Sequence, residues 1–129
     1  MTTIYHIAAR GSLMEAQRSG EYRSESLAGE GFIHFSGQHQ VLEVANRFYG
    51  DRHGLVLLAV DTSRLRAELK YEPPVHPAAA GAPSAAASDQ LFPHLYGPLN
   101  LDAIVTVYDF EPNAGTFSLP ADLIAKNEN

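Results

Sequence analysis

The run Leu-Val-Leu-Leu-Ala-Val, residues 55–60, is the longest uninterrupted apolar stretch of the chain. Its side chains are apolar on both alternating faces. A strand of that kind cannot lie on a half-wetted sheet, so it predicts a central strand covered from two sides. It is also far short of the ~20 residues that cross a bilayer. Covering one strand on both faces takes most of a chain of 129 residues, which predicts one domain rather than two.

The flanking segments supply the covers. Residues 3–8, Thr-Ile-Tyr-His-Ile-Ala, alternate as a first strand, with Ile4, His6 and Ala8 on one face and Tyr5 and Ile7 on the other. Ser12 and Glu15 have capping-box spacing and Gly20 is a helix stop, which predicts a helix over 13–19. Residues 21–30 are polar and read as loop. Gly-Phe-Ile-His-Phe, 31–35, is a second strand, with Phe32, His34 and Ser36 on one face and Ile33 and Phe35 on the other. A helix follows, carrying Val41, Leu42, Ala45, Phe48 and Tyr49 on its apolar side; Ser36 is its predicted cap and Gly50 its end. Residues 67–73 are a further strand, and Asp102–Pro112 holds the last one. The fold class is α+β: a single domain with a split antiparallel or mixed sheet and two main helices. The domain is expected over residues 1–112. Residues 73–90, rich in Ala and Pro, are expected to be a mobile insertion, and 113–129 a C-terminal tail with a short helical turn capped by Ser118.

Composition narrows the function classes. Nine Lys and Arg against fifteen Asp and Glu leave a net charge of −6, and no basic cluster is visible. Phosphate contacts supply most nucleic-acid affinity, so general nucleic-acid binding is not expected. One or two arginines still suffice for an anionic small molecule. Cysteine is absent, which removes disulfides, thiol nucleophiles and thiolate metal sites. No basic start followed by an apolar stretch opens the chain, so neither export nor a membrane is expected and the cytoplasm is the default.

Three of the most apolar segments each carry a histidine: His6, His34 and His94. A buried imidazole is costly unless its nitrogens are bonded, so any one of them is accounted for as a core staple. Three on pairing strands can instead meet at one point, suited to hydrogen bonding or proton transfer. Their spacing matches no metal motif, and none is predicted. Ser36 shares a strand face with His34 but lacks a Gly-x-Ser-x-Gly elbow. Tyr96 precedes the Gly97-Pro98 turn, which can aim its hydroxyl.

The segments IYHIA, GEYRSESLAGEGFIHFS, QVLEVANRFYG, LVLLAVD and LFPHLYGPLNLDAIVTV, in that order, resemble a bacterial family catalogued as domain of unknown function 952, over about residues 3–110. That family is similar, more distantly, to the ADP-ribosyltransferase-like fold, and nearest to the RNA 2′-phosphotransferases. The resemblance implies a cleft for NAD or an ADP-ribose-like ligand. It places His6 at the ribose-anchoring histidine and His34–Ser36 on the reactive side. Arg23 and Arg47 are the candidate phosphate contacts, and His94 and Tyr96 stand where the ribose-polarising glutamate would be. Ile7-Ala8 replaces the Gly-Thr that follows the first histidine in those enzymes. Three functions stay open. The first is a ribonucleotide-binding transferase-like domain with His34, His94 and Tyr96 as catalytic candidates and His6, Ser36, Arg23 and Arg47 as ligand contacts. The second is a non-catalytic domain that binds a metabolite or protein. The third is a small phosphoesterase using a histidine pair as acid and base.

Overall fold

The computed structural model describes residues 2–50, 52–73, 91–121 and 123. Most of the predicted insertion over 73–90 and the end of the tail lie outside them. Leu55–Asp61 forms β4, buried along its whole length and central in a three-stranded sheet. Thr3–Ala9 (β1) lies on one side of it and Ile104–Asp109 (β8) on the other, both antiparallel.

The two faces of β4 feed two cores. Val56, Leu58 and Val60 pack with Ile4, Ala8, Ile33, Phe35 and Leu95. Leu55, Leu57 and Ala59 pack with Tyr5, Ile7 and the helix Gln38–Phe48 (α3) through Val41 and Ala45. Each fully buried Leu or Val contributes about 1.5–3 kcal/mol relative to exposure. Phe117 and Leu123, in the predicted tail, are also buried in this second core, and the Leu123 N–H donates to Pro120 O at 3.0 Å.

Two further sheets complete the domain. Glu21–Tyr22 (β2) pairs with Leu99–Asn100 (β7). Ile33–His34 (β3), Phe92–Tyr96 (β6) and Glu68–Glu72 (β5) form a sheet with β6 in the centre. Every pairing among the described strands is antiparallel, so the mixed alternative does not arise there.

Three local expectations need correction. Arg10–Ser19 (α1) starts three residues before the predicted helix, with no side-chain cap, so Ser12 and Glu15 lie inside it. The first N–H of the helix is satisfied instead by Gly54 O at 2.8 Å, which lets β1 run straight into α1. Glu25–Glu30 (α2) is a third helix where loop was expected. Ser36 does not cap α3. Its backbone makes a two-way bridge to Tyr5 at 2.7 and 2.8 Å, and Gly37 takes the cap position. That bridge joins the β3 segment to β1 and so brings His34 beside His6. No helix among the described residues is long and apolar enough to cross a membrane.

Candidate functional site

Register builds the site. Ile33 pairs with Leu95 and His34 with His94. Ile33 and Leu95 are fully buried in the core, so the next residue on each strand points to the opposite face. The two imidazoles therefore meet edge to face, with ring centroids 5.4 Å apart. Phe32 covers them: its ring stacks on His94 at 4.2 Å and meets His34 at 4.8 Å.

The third strand supplies a carboxylate. Lys70 is the register partner of His94, and Glu72, two residues on, reaches diagonally to the same ring. His94 Nδ1–H donates to Glu72 Oε1 at 2.8 Å, and the Tyr96 hydroxyl donates to the same oxygen at 2.6 Å. The Tyr96 bond and then the His94 bond hold the Glu72 carboxyl below its usual range, and Glu72 in turn pushes the Tyr96 hydroxyl up. A carboxylate only accepts, so the proton of His94 is fixed on Nδ1. Among the described residues no buried side-chain nitrogen or oxygen lacks a partner. His94 borders the cleft but is only 1% exposed beneath the Phe32 ring, and its Nε2 makes no hydrogen bond among the described residues.

His34 has a carboxylate too. Its Nε2 lies 3.1 Å from Glu30 Oε2. Glu30 ends α2, and Gly31, at φ 93°, turns the chain back so that the two side chains face each other. His6 differs. Its Nδ1–H donates to His34 O at 2.6 Å, which leaves Nε2 to accept from the Tyr22 hydroxyl at 2.8 Å. Burial lowers its pKa to about 4, so the ring is neutral; burial likewise raises that of Tyr22. His6 thus ties β1, β2 and β3 together with both nitrogens used inside the protein.

These groups border one cleft of about 850 Å³. Its floor runs from His94 along the β1 residues His6–Ala9 to Leu55. His34, Ser36, Arg23 and Arg47 also line it; Tyr96 does not, and meets the site through Glu72 and the Phe32 ring. Arg23 donates to Glu21 at 2.7 Å and Arg47 to Glu43 at 3.3 Å, so both guanidiniums are matched. Sequence reasoning missed Tyr22, Tyr49, Arg52, Glu30 and Glu72. Two of these had a signal. Glu68, Lys70 and Glu72 alternate on one face of a short strand, and Glu30 stands four residues before His34 across a glycine. Among the described residues no group of three His, Asp or Glu is placed to hold a metal ion.

The fold and site define an α+β domain with antiparallel sheets and a histidine-floored cleft. A family described as "Protein of unknown function (DUF952)" matches residues 7–107, and the chain belongs to it. The chain is similar to protein CC0527 from Caulobacter crescentus in its X-ray crystal structure: 32% identity, 96% of this chain, 99% of that chain and a TM-score of 0.77. A double mutant of CC0527 gives 31% identity, the same coverage and 0.77. The solution NMR structure of CC0527 gives 27% identity, 98% and 99% coverage, and 0.66. No curated protein matches the chain. Neither the family description nor those of the solved structures names an activity.

Proposed function

We propose that the cleft binds a ribonucleotide of the NAD or ADP-ribose class and that His94 moves a proton at its ribose end. The observation that carries this is the Glu72–His94 pair, with Nδ1–H held by the carboxylate and the ring bordering the cleft. Neutral Nε2 takes the proton of a ribose hydroxyl as that oxygen bonds to phosphorus. Glu72 steadies the imidazolium, which returns the proton to the oxygen whose bond to phosphorus breaks. Phosphoester chemistry is preferred to cleavage of the glycosidic bond because the inner carboxylates, Glu30 and Glu72, are bonded to histidines rather than presented to a sugar. In this reading the fold is a divergent relative of the ADP-ribosyltransferase-like class, in keeping with the resemblance over the His6 to Ser36 segment.

His6 supports a second reading, a non-catalytic binding domain. Both of its nitrogens are structural, and the resemblance had assigned it a ligand. A melting-temperature screen with NAD, ADP-ribose, AMP and ribonucleoside 2′,3′-cyclic phosphates tests both. A ligand at ~100 times its dissociation constant adds ~2.7 kcal/mol. A shift with turnover that His94→Asn abolishes supports the first reading; Asn keeps a donor for Glu72 but has no Nε2. A shift without turnover supports the second, and no shift at millimolar ligand overturns the ribonucleotide cleft.

A further inference from the structure

We infer that Arg52, laid over the ring of Tyr49, is the phosphate subsite of this cleft. The inference rests on the ribonucleotide reading above and names where the ligand's charge is held. Among the described residues three arginines line the cleft. Arg23 and Arg47 are matched by Glu21 and Glu43. Arg52 meets no carboxylate among the described residues; its guanidinium carbon lies 5.4 Å from the centroid of Tyr49. A guanidinium over an aromatic face still presents its N–H edge, which can take two phosphate oxygens at once, and Arg52 is exposed. The Arg52 N–H donates to Tyr49 O at 2.9 Å, so the backbone of the pair is held as well.

Ser12 and Tyr22 border the same cleft, where sugar hydroxyls would lie. In the ribonucleotide reading the ligand is a nucleoside phosphate gripped at the phosphate by Arg52.

Calorimetric titration of the full chain with inorganic phosphate, adenosine, AMP and ADP-ribose tests this. The expected result is that AMP binds about tenfold or more tighter than adenosine and weakens with added salt, as a charged contact must. Arg52→Ala should remove that advantage and leave adenosine binding unchanged. Arg66→Ala, outside the cleft and paired with Asp102 at 3.2 Å, should change neither. Equal binding of adenosine and AMP by the wild type, or an undiminished AMP advantage in Arg52→Ala, overturns the subsite and leaves the cleft reading standing. Binding of inorganic phosphate as tightly as AMP overturns the nucleoside phosphate as the ligand class. Absence of binding by adenosine, AMP and ADP-ribose alike overturns the subsite and the ribonucleotide reading together.

Discussion

At the scale of single residues, three histidines with similar sequence settings divide into two kinds. His6 is a staple with both ring nitrogens bonded to a carbonyl and a tyrosine; His34 and His94 are each bonded to a carboxylate beside the cleft. The distinction has a measurable sign. His6 titrates at about 4 in the folded chain, against 6.5 for a solvated imidazole, so between these values the unfolded chain holds more protons. Its share of stability is therefore complete above about pH 6.5 and is lost as pH falls toward 4. A shift of that size corresponds to about 3 kcal/mol. Glu72, whose pKa is depressed, keeps its share above about pH 4.5 and loses it only as pH falls further and its carboxylate protonates. Urea unfolding from about pH 7 to about pH 4.5 should show the decline in the wild type and a flatter profile in His6→Phe. Parallel profiles would contradict the staple. Histidine in an apolar segment was legible from the sequence. Which atoms it bonds was not, because Tyr22 and the His34 carbonyl come from 16 and 28 residues away.

At the scale of elements, legibility followed burial. The strand Leu55–Asp61 and the helix Gln38–Phe48 stand out because their apolar residues recur with the element's own period. The helix Glu25–Glu30 buries none of its residues, so no apolar stripe marks it. What ends it is local: Gly31 at φ 93°, whose N–H bonds Ser26 O and Leu27 O. A Cβ there meets nothing within 4 Å, so Gly31→Ala tests conformation alone. It should cost about 1–2 kcal/mol by chemical denaturation. It should also weaken ligand binding, because Glu30 would no longer be turned onto His34. Unchanged stability would mean that the turn does not hold the end of this helix. The pairing of His34 with His94 was out of reach from sequence, since the order β3-β6-β5 is fixed by long-range register and not by neighbours in the chain.

At the scale of the whole molecule, one strand covered on both faces organises two cores, and the cleft lies where the small His34 sheet is bridged to the main one. The α+β class was legible because β4 demands two covers. Antiparallel pairing was among the expected arrangements, but the C-terminal packing of Phe117 and Leu123 was not legible, because nothing local signals which face a late apolar residue will meet. Of the seven sequence-named site residues, Tyr96 alone stays off the cleft, its hydroxyl bonded to Glu72. A ribonucleotide cleft served by His94 is tested most directly by calorimetric titration of ADP-ribose into the wild type and His94→Asn at neutral pH. The expected result is saturable binding to the wild type at submillimolar concentration and at least about a tenfold loss in His94→Asn, with the variant's melting temperature showing that it remains folded. No heat of binding to the wild type at millimolar ADP-ribose, or equal binding by the folded variant, would contradict it.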